Sequence, residues 1–236
     1  MTDPNRLADE IEERLRAEGT PERAEKEKAY LKSSLDFLGA TVWQSRREAK
    51  PVAKELESHD DLVALVQALW AKPVHERRAV AAFLLEAHVD LLSPSDLPLI
   101  ERLVRESKTW ALVDVLAGDV LGKLLLQHPE AAPQLDAWAA DDDFWVRRSA
   151  LLSQLEPLKE GAPFDQFFGY ADSMLDEKEF FIRKAIGWVL RDSSKKRPDE
   201  VFEWLLPRAE RASGVTMREA VKYLSPEQRA ALGRAA

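Results

Sequence analysis

Hydrophobic residues recur every three to four positions along most of the chain, the period of an amphipathic α-helix, and almost nowhere with the alternation of a half-buried strand. Leu7, Ile11 and Leu15 fall at i, i+4 and i+8. Leu62, Leu65, Val66 and Leu69 make a second apolar stripe, and Val201, Phe202 and Leu205 a third. Helix punctuation frames these stripes. Pro4 and Pro21 suit first-turn positions after Asp3 and Thr20, Gly19 fits just past the first helix, Asp60 precedes the Leu62 stripe and Pro198 opens the Val201 one. Thr216-x-x-Glu219 and Ser225-x-x-Gln228 have the spacing of capping boxes, the latter with Pro226 at the first helical position. Asp141-Asp142-Asp143 reads as a helix start, where carboxylates are favourable against the helix dipole. No Asn-Gly or Asp-Gly hairpin turn interrupts the series. The pattern predicts an all-α protein of about twelve helices.

A longer period is superimposed on the helical one. Paired cations followed by small and apolar residues occur as Arg46-Arg47, Arg77-Arg78-Ala79, Arg147-Arg148-Ser149-Ala150 and Arg183-Lys184-Ala185, and Arg218-Glu219-Ala220 continues the set. The gaps are 31, 70, 36 and 35 residues. Since 70 is twice 35, a further copy belongs near residue 112. That gives about six helical pairs, the signature of a helical-repeat solenoid, an α–α superhelix in which each pair buries its apolar face against its neighbours. The expected organisation is one repeat domain over 1–236, with capping helices in 1–39 and stacked repeats in 40–236. Arginines in such arrays either bridge adjacent repeats, sit solvated, or meet phosphates.

Where the period calls for a cation pair, the chain reads Thr109-Trp110-Ala111-Leu112-Val113-Asp114. Trp110 and Asp114 are four apart, so on a helix they share a face and put a carboxylate beside a large aromatic. That suits a cationic or cation-forming ligand, although an aspartate here could equally bond a nearby amide or arginine and Trp110 could be core. Gly118-Asp119-Val120-Leu121-Gly122-Lys123-Leu124 is not a phosphate loop, because its spacing is one residue short and Leu124 replaces the magnesium-binding hydroxyl.

Composition narrows the chemistry. With 45% hydrophobic and 32% charged residues the chain falls in the soluble globular range, and no apolar run approaches the roughly 20 residues of a membrane-spanning helix. The N-terminus has no basic and apolar leader, so a cytoplasmic protein is expected. Zero cysteines exclude disulfides, thiolate metal sites and a cysteine nucleophile, and the four scattered histidines, His59, His75, His88 and His128, form no metal pair. The net charge of −8 opposes indiscriminate nucleic-acid binding, yet it is uneven. Residues 1–144 carry 18 basic and 28 acidic side chains, whereas 145–236 carry 16 and 14.

Several segments resemble the bacterial AlkD-like DNA alkylation repair family of HEAT-like repeat DNA glycosylases. The most specific is Phe180-Phe181-Ile182-Arg183-Lys184-Ala185-Ile186-Gly187-Trp188-Val189-Leu190-Arg191. Trp145-Val146-Arg147-Arg148-Ser149-Ala150, the Trp110-x-x-x-Asp114 spacing, and Tyr30-Leu31-Lys32 through Phe37-Leu38-Gly39 to Arg46-Arg47 add to it. The resemblance implies that Asp114 is the catalytic carboxylate and that Trp110 and Trp188 line the pocket around the deoxyribose. It further implies that Arg148 holds the backbone there, with Tyr30, Lys32, Arg46, Arg47, Lys108, Arg147, Arg183 and Lys184 contacting DNA. Ala111 departs from the family's usual Trp-Asp-x-Val-Asp.

The implied activity is excision of N3- and N7-alkylated purines, such as 3-methyladenine and 7-methylguanine, from duplex DNA in base excision repair, by a monomer without metal or other cofactor. The residues suit that chemistry. Alkylation at these nitrogens makes the base cationic and a good leaving group. A carboxylate can then stabilise the developing oxocarbenium charge and orient water, while aromatic faces contribute about 1–2 kcal/mol each when desolvated. Two other functions fit the same sequence: a non-catalytic DNA-structure binder of this architecture, and a HEAT-like protein-interaction scaffold.

Overall fold

The structure, a computed structural model, describes residues 3–233, and no strand occurs among them. Sixteen α-helical segments follow one another with short 3-10 turns and one π-helical stretch. The excess over twelve comes from broken helices. One run, for example, is divided into α10 (Phe144–Leu152) and α11 (Leu155–Lys159), because Pro157 lacks the N–H that would bond the Ser153 carbonyl and its ring would collide with it. Two compact units divide the chain, 1–127 and 128–236.

In the first unit, α1 (Pro4–Glu18) starts where Asp3 accepts from the Asn5 amide at 3.0 Å, and α2 (Pro21–Leu31) starts where Thr20 accepts from Arg23 at 3.3 Å. α1 lays Ala8, Ile11 and Leu15 against α4 (His59–Trp70), whose Leu62, Leu65, Val66 and Leu69 are fully buried. The cap of α4 is Ser58, one turn ahead of the first apolar residue, and Asp60 and Asp61 occupy the first turn instead. α3 (Val42–Glu55) begins with a Thr41–Gln44 capping box. α5 (His75–Ala87) is the central element, buried continuously from His75 to Leu85 and packed against α3, α4 and the π-helical stretch Val115–Leu121. That stretch and the short helix before it, α7 (Trp110–Asp114), follow α6 (Leu97–Glu106), and α8 (Gly122–Gln127) closes the unit.

In the second unit, α9 (Leu135–Ala139) precedes α10, which is capped by Asp143 accepting from Trp145 at 2.8 Å, as the triple aspartate suggests. α12 (Asp165–Met174), α13 (Phe180–Ser194), α14 (Pro198–Leu205), α15 (Gly214–Ala220) and α16 (Pro226–Ala231) follow. α13 and α15 approach closely over Gly187, where a Cβ would lie 2.8 Å from both the Glu219 Cβ and the Thr216 carbonyl oxygen. The Ser225–Gln228 capping box forms. The Thr216–Glu219 box does not: Ser213 caps α15 one turn earlier, and the buried Thr216 hydroxyl instead donates to the Arg183 carbonyl at 3.1 Å. Glu219 is drawn into ion pairs with Lys184, Arg191 and Lys222.

Candidate active site and nucleic-acid interface

The absent copy of the cation repeat becomes α7. Thr109 caps it, accepting from Ala111 at 3.3 Å, and its apolar side, Leu112 and Val113, is buried. At Asp114 the winding changes to the wider π form over Val115–Leu121, with Leu116, Ala117, Gly118, Val120 and Leu121 buried. Trp110, Ala111, Asp114 and Val115 are half-buried. Trp110 and Asp114 therefore share a rim one helical turn apart, where neither is swallowed by the core. The segment resembling a phosphate loop, 118–124, lies inside this π-to-α helical run.

A second ring joins the rim. Tyr30, at the end of α2 and 72% exposed, meets Trp110 edge-to-face with centroids 6.1 Å apart and planes at 83°. Lys32 and Lys108 lie two residues along the chain from Tyr30 and Trp110, and among the described residues they are the two non-glycine residues in the left-handed region, at φ 49° and 53°. Lys32 ends α2 and Lys108 precedes the cap of α7. Both are exposed and form no ion pair with the described residues. The backbone strain of about 1 kcal/mol or more at each is tolerated because neighbouring structure fixes it.

Sequence patterns did not disclose what holds the 32–41 segment. The buried Glu76 carboxylate accepts from three successive amides, Leu38 at 3.0 Å, Gly39 at 2.7 Å and Ala40 at 3.2 Å. Burial pushes this carboxyl above its usual range, and the amides oppose the shift. Phe37 stacks on His75 at 4.7 Å, and Asp36 bridges to Pro73 and His75 through backbone bonds of 2.8 Å each. Gly39 sits at φ 82° against α2, where a Cβ would be 2.1 Å from the Thr20 carbonyl oxygen. A glutamate between His75 and Arg77 carries no sequence signal for that contact.

The paired cations have internal partners. Arg77 donates to the Ala68 and Leu69 carbonyls at the end of α4 and to Asp9 and Glu12 of α1, at 2.8 and 2.6 Å. Burial raises Glu12, but hydrogen bonds from Arg16, Lys72 and Arg77 outweigh it and bring it to about 2. Arg78 donates to the Glu106 carbonyl in the next repeat. The second unit repeats the scheme: Arg147 caps the Asp141 and Asp142 carbonyls and pairs with Glu177, and the buried Arg148 reaches the Phe181 carbonyl. Arg183 donates to the Glu177 carbonyl and Lys184 pairs with Glu219. Thus in the pairs that begin at Arg77, Arg147 and Arg183 the first cation reaches back to carbonyls of the preceding segment and the second ties the following repeat, whereas Arg46-Arg47 has the opposite order. Arg46 pairs with Glu86 and lies 4.0 Å over Phe83, and Arg47 pairs with Glu18. Trp188 is half-buried on α13, one turn after Lys184.

Among the described residues no cluster of three or more acidic or histidine side chains could hold a metal, and no helix is long and apolar enough to cross a membrane. The chain matches the family described as DNA alkylation repair enzyme over residues 11–224. It is similar in structure to a predicted DNA alkylation repair enzyme from Enterococcus faecalis, at TM-score 0.80 and 29% identity, over 88% of this chain and 97% of that one. AlkD2 from Streptococcus mutans shares the fold at TM-score 0.61 and 19% identity, over 78% of this chain and 91% of that one. No curated protein matches the chain. With the family's pattern running through nearly its whole length, the chain belongs to the DNA alkylation repair enzyme family.

Proposed function

We propose that the protein hydrolyses the N-glycosidic bond of cationic N3- and N7-alkylpurines in duplex DNA. The observation that carries this is the Trp110–Asp114 pair, a half-buried carboxylate and indole one turn apart where the repeat elsewhere has cations, with the Tyr30 ring set against Trp110. A base alkylated at N3 or N7 already bears positive charge. When the bond from C1′ to the ring nitrogen breaks, its electron pair neutralises the departing base and the charge moves to the sugar. The Asp114 carboxylate stabilises that oxocarbenium character and orients a water whose oxygen adds to C1′, its proton passing to the carboxylate and on to solvent. The products are an abasic sugar and the free base, and no metal or redox step is needed because the leaving group is activated by its own charge.

Trp188 is assigned to DNA contact in the second unit, and Tyr30, Lys32 and Lys108 to contact in the first, whereas the buried Arg148 reaches a phosphate only by leaving the Phe181 carbonyl. Lys32 and Lys108 are the better placed cations, since Arg46, Arg47, Arg147, Arg183 and Lys184 all have internal acceptors to leave. A non-catalytic DNA binder is favoured by one feature, Ala111 at the half-buried position beside Trp110, which removes a hydrogen-bonding group from the rim. Duplexes carrying 7-methylguanine, 3-methyladenine or the neutral O6-methylguanine separate the alternatives. Release of the first two bases and retention of the third is expected. Equal release of the neutral base would defeat the charge-based mechanism, and tight binding with no release would establish the binder.

A further inference from the structure

The solvent face of α3 carries Trp43, Arg46, Arg47, Lys50 and Lys54, with Val42, Pro51 and Glu55 also exposed, while Ser45, Ala49 and Val52 form its buried face. Trp43, Arg47, Lys50 and Lys54 fall at i, i+4, i+7 and i+11, so they lie along one stripe. Glu48 is turned away into a 2.6 Å ion pair with Arg14 of α1, and Glu55 is the last residue of the helix. Trp43 is 66% exposed, yet it is not loose: the Arg47 guanidinium covers one face at 4.9 Å and is itself anchored to Glu18, which also accepts from Gln44 at 2.8 Å. Lys50 and Lys54 line a shallow groove with Arg46, Ala49 and Ala53, closed on the other side by Phe83 and Ala87 of α5. Glu86 of α5 is the acid facing this row, and Arg46 occupies it.

The charge balance of the first unit makes this row unusual. Residues 1–127 hold 18 basic and 23 acidic side chains, and most of the cations there are matched to a carboxylate. Lys50 and Lys54 have no ion pair among the described residues, although acids outnumber bases around them. Like charges at i and i+4 repel on a helix, so an unmatched pair is held against its own electrostatics. An aromatic with one free face, placed at the head of such a row, is the combination that packs on a sugar while cations neutralise the backbone.

We propose that this face of α3 grips the DNA backbone, with Lys50 and Lys54 neutralising phosphates and the braced Trp43 packing against the deoxyribose. This rests on the DNA-repair reading but needs only DNA binding, not excision. The test is the salt dependence of affinity for an undamaged duplex, measured on the full chain for wild type, Lys50→Ala/Lys54→Ala and Trp43→Ala. Each phosphate contact contributes about 0.9 to the slope of log affinity against log salt, so the double variant should lose about 1.8. Between 50 and 200 mM salt the wild type should therefore lose about tenfold more affinity than the double variant. Trp43→Ala should weaken binding several-fold at an unchanged slope, because its contact is not ionic. The three positions are on the surface, so equal melting temperatures are expected.

An unchanged slope in the double variant overturns the grip while leaving DNA binding intact, and unchanged affinity in Trp43→Ala overturns the aromatic contact. A shifted slope together with absent base release would keep the grip and remove the glycosylase. Wild-type affinity that is weak and insensitive to salt would overturn both.

Discussion

The Tyr30–Trp110–Asp114 rim depends on side chains that never reach it. Glu76 is the clearest: with three amides on its carboxylate, it fixes the 38–40 backbone and so the segment that follows Tyr30 and Lys32. Glu76→Ala would strand those amides in a buried setting and should lower stability by about 2–4 kcal/mol, read by denaturant unfolding, with faster amide exchange at Leu38–Ala40. His75 beside it is neutral, because burial depresses it to about 4. Its folded value lies below the ordinary 6.5, so the unfolded chain takes up the proton first. This contribution is complete above about pH 6.5 and falls as pH drops towards 4, by about 3 kcal/mol at most. Glu76, shifted upward, acts with the opposite sign, so His75 is isolated by comparison with His75→Phe, which keeps a ring against Phe37. Its melting temperature should vary less than that of wild type between pH 6.5 and 4, and parallel curves would refute the assignment.

Elements whose ends are set by local chemistry were legible in the sequence. Pro4, Pro21 and the Ser225 box begin helices where the residues indicate, and Leu62, Leu65, Val66 and Leu69 are buried as their spacing requires. Features set by packing were not. The Thr216 spacing imitates a cap, but Ser213 caps the helix one turn earlier and a hydroxyl at that depth is claimed by the Arg183 carbonyl. Nothing in Val115–Leu121 distinguishes π from α winding. The period of the cation pairs was readable, whereas their partners lie on carbonyls as distant as Glu106 from Arg78 and Phe181 from Arg148, which only the stacking of helices supplies. Gly187 shows the same dependence between elements. Gly187→Ala places a methyl 2.8 Å from Glu219 and Thr216, so α13 and α15 must separate, and a loss of about 1–3 kcal/mol in unfolding free energy is expected despite the gain in helix propensity. A neutral or stabilising result would mean that α15 yields easily.

At the scale of the whole molecule, family membership and the all-helical repeat architecture stand on nearly the full length of the chain. A net charge of −8 means that DNA affinity must come from local cations, not from the overall field. Lys32, Lys108, Lys50 and Lys54 are such cations, unmatched within a unit that is acidic in sum. The candidate carboxylate was legible as a break in a repeat, since Asp114 lies in the one period that has no cation at the repeat position, Arg218-Glu219 keeping a single one. The Tyr30 contact came only from the fold, because 80 residues separate it from Trp110. The central claim, that Asp114 is the group that makes this chain a glycosylase, is tested by release of free 7-methylguanine from methylated duplex DNA by wild type and Asp114→Asn at equal DNA occupancy. Release by the wild type with a loss of about a hundredfold or more in the variant, its DNA affinity kept, is the expected outcome. Excision at the wild-type rate by Asp114→Asn would contradict it.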